Sequence, residues 1–186
     1  RRESLEGQVA KPMSRVIWIG CGSKKASKEC AARDLYKGCL FKDRLAYAED
    51  SESPFWIISA KYGLVDPDQW LPPYDLRLGQ LPPVERAAWA LCTVGRLLDE
   101  LSDDLTVQAL RGVHVELHMG SEYSEPLGEV LLAAGMSTSW PVQNMGIGQQ
   151  RAWYRERSKR ERRRKTNARL GSGDSATQGR LFGSGV

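Results

Sequence analysis

The chain has 186 residues, of which 41% are hydrophobic and 27% are charged, values that are ordinary for a globular protein. This length allows one domain with a sizeable core. No apolar run approaches the roughly 20 residues that a membrane-spanning helix needs, and the polar first dozen residues do not resemble a secretory signal. The sequence therefore predicts a cytoplasmic protein with no membrane partner.

Cysteine and histidine spacing argues against a metal site. The cysteines at positions 21, 30, 39 and 92 form no CxxC pair, so we expect free thiols in a reducing compartment. His114 and His118 lie in a predicted strand, where residues four apart share a face but stand about 13 Å apart. We therefore predict no bound metal and no cofactor.

The first predicted element is a buried strand at RVIWIG, residues 15–20. The loop GCGSKK follows, and its glycines allow backbone N–H groups to converge on an anion. It lacks both the GxxxxGK[ST] order of a phosphate loop and the GxGxxG pattern. We interpret it as one wall of a nucleotide pocket, with an exposed polar turn as the alternative. Its candidate substrate-binding residues are Cys21, Gly22, Ser23 and Lys24.

The segment ARDLYKG, residues 32–38, supplies two further substrate-binding candidates, Asp34 and Tyr36. Apolar residues at helical spacing then predict a helix over 38–50. The segment could close over the site, or Asp34 could cap this helix.

A second buried strand is predicted at FWIISA, residues 55–60. Ser59 and Tyr62 are substrate-binding candidates at its end, and Lys61 is a catalytic candidate. Burial at the strand end would lower the pKa of Lys61 and make it a base or nucleophile. Alternatively, its long stem carries the ammonium group to water.

The stretch KYGLVDPDQWLPPYDLRLG, residues 61–79, is rich in Pro, Gly and Asp and predicts an ordered loop. Loops carried by a rigid sheet often hold binding and catalytic groups. Tyr74 is a substrate-binding candidate, and the Asp75 carboxylate could orient water or stabilise a cation. An Asx turn or a helix cap is the alternative for Asp75.

A long helix is predicted from PPVERAAW to about residue 101, with an apolar stripe facing the core. That stripe comprises Ala87, Leu91, Val94, Leu98 and Leu101. The alternating segment VHVELHM, residues 113–119, predicts a third strand.

The third strand is followed by GSEYSE and a helix closed by Gly135. Glu122 is a candidate acid or base, and Tyr123 could stack on a nucleobase. In the alternative interpretation, Ser121 or Ser124 caps the following helix.

The end of the chain concentrates positive charge. After a short strand at STSWPV, a final helix runs into residues 151–169, which hold ten basic and two acidic residues, a net of +8. The rest of the chain has 17 basic and 21 acidic residues, a net of −4. Such a segment predicts binding to nucleic acid, DNA more than RNA. The alternative is a helix that contacts only water. The nucleic-acid-binding candidates are Arg151, Arg155, Arg157, Lys159, Arg160, Arg162, Arg163, Arg164 and Lys165.

The element order predicts an α/β fold with a mainly parallel central sheet and helices on both faces. We predict an N-terminal extension over 1–14, an α/β domain over 15–155, a basic helix extension over 156–170 and a disordered tail over 171–186. Ligands of such sheets bind beyond the carboxyl ends of the strands. The loops GCGSKK, AKYGLV and MGSEYSE occupy that edge.

Four stretches resemble known families: GCGSKK, ARDLYKGCLF, WIISAKYGLVDPDQWLPPYDLRL and PVQNMGIGQQRAW. Together they look like an uncharacterised domain family of bacteria and phages. YGLVDPDQWLPPYDLRL is similar to YaaA-type peroxide-stress proteins. CGSKK with SAKYGLV is similar to the core domain of archaeosine synthase, which modifies a deazaguanine base in transfer RNA.

This resemblance implies a domain of the uracil-DNA-glycosylase-like kind that works on nucleic acid. The matching positions are Cys21, Ser23, Lys24, Ser59, Lys61, Tyr62, Gly63, Tyr74 and Asp75. The GQDPYH-type motif of glycosylases is absent, and GCGSKK occupies its place.

The function that we expect is enzymatic: cleavage or exchange at the N-glycosidic bond of an ordinary or modified base in DNA. A base in a duplex must be flipped out before such chemistry. Asp75, Lys61 and Glu122 are the catalytic candidates. The alternatives are a non-catalytic DNA-binding stress-response protein and an enzyme that acts on free nucleosides or nucleotides.

Overall fold

A computed structural model describes residues 14–101 and 112–171. The predicted N-terminal extension and disordered tail lie outside these residues except for their inner ends. Five strands form the central sheet: β1 (Ser14–Gly20), β3 (Phe55–Ser59), β4 (Gly63–Val65), β6 (Val113–His118) and β7 (Ser137–Ser139). A separate two-stranded sheet pairs β2 (Cys30–Ala31) with β5 (Trp70–Leu71).

The central sheet has the strand order β4-β3-β1-β6-β7. β1 pairs in parallel with β3 and β6, β6 pairs in parallel with β7, and only β4 is antiparallel. Side chains of β1 are buried on both faces: Val16 and Trp18 on one, Ile17 and Ile19 on the other. Burial of both faces is typical of parallel sheets, so the mainly parallel sheet expected from the sequence is confirmed.

Five helices within the described residues cover the two faces of the sheet. They are α1 (Ala32–Leu35), α2 (Cys39–Asp50), α3 (Pro83–Leu101), α4 (Ser121–Ala133) and α5 (Ile147–Gly171). α3 and α4 pack against the Val16 and Trp18 face, and α1, α2 and α5 pack against the Ile17 and Ile19 face. None of the described helices is long and apolar enough to cross a bilayer.

The stretch predicted as an ordered loop over 61–79 contains more regular structure than expected. β3 turns back into β4 as a tight hairpin, and β5 and a 3₁₀ turn (Leu78–Gln80) follow. The hairpin depends on Gly63, which has a φ of 66°. A Cβ at this position would also lie 2.8 Å from Thr93 Oγ1, so both the backbone and the packing require glycine.

Several predictions about helices were wrong in detail. The buried residues of α3 are Ala90, Thr93, Val94 and Leu97, whereas Ala87 and Leu91 are exposed. The predicted stripe was therefore rotated, because its spacing was compatible with more than one helical face.

The alternative interpretation, in which Asp34, Ser121 or Ser124 caps a helix, was also wrong. α2 begins after Gly38 and α4 after Gly120, and neither helix has a side-chain cap. Asp34 lies exposed inside α1, and Ser121 and Ser124 belong to the first turn of α4. The predicted end of α4 is confirmed by Gly135, which has a φ of 86°.

Candidate functional site

Four tyrosines from different segments gather around Cys21 at the carboxyl edge of the sheet. We call Tyr36, Tyr62, Tyr74 and Tyr123 the tyrosine cluster. Cys21 follows β1, and its N–H donates to the Ile58 carbonyl at 2.9 Å, so its backbone extends the pairing of β1 with β3. Its Sγ lies 3.7 Å from the Tyr123 hydroxyl on α4.

Ser59, Tyr74 and Tyr36 form a chain of hydroxyl groups. Ser59 Oγ accepts N–H groups from Lys61 at 3.2 Å and Tyr62 at 3.1 Å. Because these bonds use the acceptor capacity of a hydroxyl, Ser59 donates its hydrogen to Tyr74 at 2.8 Å. The Tyr74 and Tyr36 hydroxyls share the next hydrogen bond at 3.0 Å, in which either can donate. The chain ends at Tyr36, whose side chain is fully buried.

The hydroxyls of Tyr36, Tyr74 and Tyr123 stay protonated at neutral pH. Burial, with a smaller contribution from the nearby Cys21 thiol, raises the pKa of Tyr36 to about 12. The same two causes raise the pKa values of Tyr74 and Tyr123 well above the ordinary range. These side chains therefore keep their hydroxyl hydrogens and cannot serve as bases near pH 7.

Lysines border the cluster from two loops. Lys25 Nζ lies 4.1 Å from the Tyr74 ring centroid, whereas the predicted Lys24 is exposed, as is Ser23. Lys61 is exposed as well, so the expected burial of its ammonium group was wrong. Its Nζ lies 5.1 Å from the Tyr62 ring centroid, within range of a cation–π interaction. The sequence did not identify Lys25, because the irregular loop after β1 has no periodicity that predicts side-chain direction.

Trp89 of α3 connects the two sides of the cluster. Its Nε1–H donates to the Ser59 carbonyl at 3.1 Å, and its ring meets the Tyr123 ring edge-on at a centroid distance of 5.7 Å. Tyr62 meets Tyr74 in a similar way at 5.4 Å. Trp89 was not among the predicted site residues, since the correct face of α3 was not known.

The three acidic candidates are exposed rather than buried in the cluster. Asp75 directly follows Tyr74, and Glu122 directly precedes Tyr123. The Glu122 carboxylate packs against the 3₁₀ turn, where a Cβ on Gly79 would lie 2.7 Å from Oε1. Asp34 lies on the exposed side of α1. Asp75 and Glu122 are therefore adjacent in sequence to tyrosines of the cluster and are exposed to solvent.

A partly buried ionic network, which the sequence did not reveal, lies beneath α2 and α5. Glu116 Oε2 accepts hydrogen bonds from Arg15 at 2.8 Å, Tyr47 at 3.1 Å and His118 Nε2 at 3.1 Å. Tyr154 donates to His118 Nδ1 at 3.1 Å. Strand alternation places Glu116 and His118 on one face, but nothing in the sequence indicated that α2 and α5 supply their partners.

The protonation states in this network follow from burial and hydrogen bonding. Burial lowers the pKa of His118 and outweighs the nearby Glu116 carboxylate, so the imidazole is neutral. Burial alone would raise the pKa of Glu116, but hydrogen bonds from His118 and Arg15 lower it to about 2. The charged Glu116 therefore fixes the hydrogen of His118 on Nε2.

Many of the predicted nucleic-acid-binding residues of α5 form ion pairs within the protein. Arg151 and Arg155 both pair with Asp43 of α2, at 2.6 and 3.2 Å. The remaining pairs are Arg162 with Asp50, Lys165 with Glu52, Arg160 with Glu156, and Arg164 with Glu161. Arg157 stacks on Trp153 at 4.4 Å from the ring centroid. Lys159 and Arg163 are exposed and have no ion pair with any described residue.

The helix α5 is continuous across the predicted boundary at 155 and 156. Tyr154 is fully buried, so the first part of α5 belongs to the core. Within residues 14–101 and 112–171, no group of three His, Cys, Asp or Glu side chains is arranged to hold a metal ion. All four cysteines are free thiols.

Comparison with known proteins gives one family match. The model of a family of unknown function, DUF6884, matches residues 16–156, a range that includes the whole tyrosine cluster. A search of curated proteins found no match, and neither did a search of solved structures.

Proposed function

The chain belongs to the DUF6884 family of unknown function, and we propose that it is an enzyme acting on a nucleobase in DNA. The reaction is cleavage or exchange at the N-glycosidic bond, and the base is an ordinary or a modified one. The observation that carries this proposal is the tyrosine cluster at the carboxyl edge of the parallel sheet. Ligands of α/β proteins bind at this edge.

The cluster suits a flat ligand with polar edges. Tyrosine rings offer stacking surfaces to a base that has been flipped out of the duplex. The protonated hydroxyls of Tyr74 and Tyr123, which are only half-buried, offer hydrogen-bond donors to ring nitrogens or carbonyl oxygens. The cations of Lys25 and Lys61 favour a leaving base that carries negative charge.

We assign the role of catalytic carboxylate to Asp75. It follows Tyr74 directly and is accessible to solvent, so it can activate a water molecule or stabilise an oxocarbenium-like sugar. Glu122, beside Tyr123, is the second candidate for the same role. The exposed Lys159 and Arg163 of α5 would contact the phosphate backbone.

The test is incubation with genomic DNA and with hypermodified phage DNA, followed by quantification of abasic sites. We expect the wild-type protein to form abasic sites on at least one substrate. Asp75→Asn should lower the rate by about 100-fold or more, since general acid–base groups contribute on that order. Its DNA affinity should be unchanged.

Asp68→Asn is the matched control, because Asp68 is also an exposed loop carboxylate but pairs with Arg33. This variant should retain the wild-type rate. Absence of abasic product on every substrate, while Asp75→Asn still binds DNA normally, would refute the enzymatic proposal.

A non-catalytic DNA-binding protein is the second candidate, and the exposed Lys159 and Arg163 favour it. Deleting residues 151–186 cannot discriminate the two, because the deletion would remove the buried Tyr154 from the core. Replacing Lys159 and Arg163 together by serine avoids this problem. The control variant carries the same replacement at Lys28 and Lys42. A binding protein would lose its function in the first variant, whereas an enzyme would still act on a short substrate or a nucleoside.

A further inference from the structure

A crevice of about 370 Å³ opens beside the tyrosine cluster, between the loop after β1 and the first turn of α2. We call it the α2 crevice. Its walls are Cys21 to Ser23 on one side and Gly38 to Phe41 on the other. Arg44, Ile147 and Arg151 complete the lining.

The N-terminus of α2 opens into this crevice without a cap. Gly38 has extended backbone angles, φ −66° and ψ 141°, and no side-chain cap hydrogen bond is present among the described residues. The first N–H groups of a helix have no partner within the helix. Together with the helix dipole, they attract negative charge to this end of the 12-residue helix.

Arg44 is the independent indication of a ligand. It is only 7% exposed, yet no described carboxylate lies within ion-pair distance of it, whereas Arg151 is neutralised by Asp43. Arg44 Nη2 donates to Gln150 Oε1 at 3.2 Å, and the guanidinium also donates to the Tyr154 hydroxyl, whereas its Nε has no hydrogen-bond partner among the described residues. A buried guanidinium without a counter-ion is costly, and an anion in the α2 crevice would reduce that cost.

We propose that the α2 crevice binds a phosphate group. Arg44 and the N–H groups at the start of α2 hold its oxygens, and the backbone after β1 forms the opposite wall. A guanidinium fork combined with helix N–H groups matches the tetrahedral oxygens of phosphate.

Cys21 links this site to the tyrosine cluster, because it lines the crevice and also contacts Tyr123. A nucleotide could therefore place its base in the cluster and its phosphate in the crevice. The inference rests on the proposed function only for the source of the phosphate, which would then belong to the substrate. Binding of a free phosphate ion requires the crevice alone.

The test is titration calorimetry with inorganic phosphate on the full chain and three variants. Gly38→Asp places a carboxylate at the cap position, where a Cβ meets nothing within 4 Å. This side chain should cap α2 and preserve or raise the melting temperature, while it occupies the N–H groups that phosphate needs. Gly38→Ala is the matched control, since it adds the Cβ without the carboxylate. Arg44→Gln removes the buried charge.

We expect wild type and Gly38→Ala to bind inorganic phosphate with similar affinity. Gly38→Asp and Arg44→Gln should bind at least about tenfold more weakly, the size expected for losing a charge-assisted hydrogen bond. No binding by the wild type, or equal binding by wild type and Gly38→Asp, would overturn the proposal. Gly38→Asp keeps the test valid if Arg44→Gln does not fold.

A 5′-deoxynucleotide and the corresponding nucleoside separate this inference from the proposed function. A nucleotide that binds more tightly than either phosphate or nucleoside supports both. If phosphate and nucleotide bind equally and the nucleoside does not bind, the phosphate site stands and the base pocket fails. If the nucleoside binds and phosphate does not, the base pocket stands and the phosphate site fails.

Discussion

Substituting Glu116 by glutamine tests the partly buried ionic network and its dependence on pH. The pKa of Glu116 falls from 4.5 to about 2 on folding. Each tenfold change in an equilibrium constant is worth about 1.4 kcal/mol, so the full effect is about 3 kcal/mol. Because the Arg15 side chain is 35% exposed, solvent screening reduces the expected loss in Glu116→Gln to about 2 kcal/mol at pH 7.

The sign of the pH dependence follows from the lowered pKa. Glu116 is charged in the folded protein at a pH where the unfolded chain already binds a proton. Its contribution to stability is therefore complete above pH 4.5 and is lost as the pH falls towards about 2. The difference in unfolding free energy between wild type and Glu116→Gln should narrow over the same range.

Urea unfolding of both proteins between pH 7 and pH 3 measures this difference. Glu49→Gln is the matched control, because Glu49 pairs with Arg33 on the surface with 41% of its side chain exposed. Such a pair is worth at most about 1 kcal/mol. A Glu116→Gln effect that is no larger than the Glu49→Gln effect, or that does not change with pH, would refute the reasoning.

Two further predictions concern the site edge and the hairpin. Tyr74→Phe removes the middle hydroxyl of the chain from Ser59 to Tyr36 and should lower the free energy of unfolding by about 1–2 kcal/mol; an unchanged urea midpoint would contradict the hydrogen-bond chain. Gly63→Ala should lower it by about 1–3 kcal/mol because of the positive φ and the close Thr93 hydroxyl. In contrast, Gly95→Ala, in α3 where a Cβ meets nothing within 4 Å, should raise it by up to about 1 kcal/mol. Equal effects of the two glycine substitutions would argue against strain at Gly63.

The central sheet could be predicted because its strands are short apolar runs. RVIWIG and FWIISA are buried on both faces, which leaves few alternatives to parallel strands beneath helices. The rule that ligands bind beyond the carboxyl ends of parallel strands then identified Cys21, Ser59 and Tyr123 as candidates. This rule predicts that their segments lie at one edge of the sheet. Two contacts connect these segments: Cys21 with Tyr123, and Ser59 with Tyr74.

Other parts of the candidate site depend on packing that local patterns do not encode. The face of α3 that carries Trp89 was undetermined, because apolar residues occur at more than one helical spacing. The partners of His118 come from residues distant in sequence, including Tyr154 of α5. The burial of Arg44 likewise becomes evident only when α2 and α5 are packed together, since an arginine in an amphipathic helix predicts an exposed side chain.

The ion pairs that α5 forms with α2, and with Glu52 just beyond it, have a consequence for how α5 would meet a polyanion. Asp43, Asp50 and Glu52 hold arginine and lysine side chains of α5 much as the phosphates of a nucleic acid would. A polyanion that approaches this side must displace these carboxylates, which then repel it. This competition disfavours polyanions that are weakly charged or poorly aligned. A polyanion would meet less competition on the outward-facing side of α5, which carries Lys159 and Arg163.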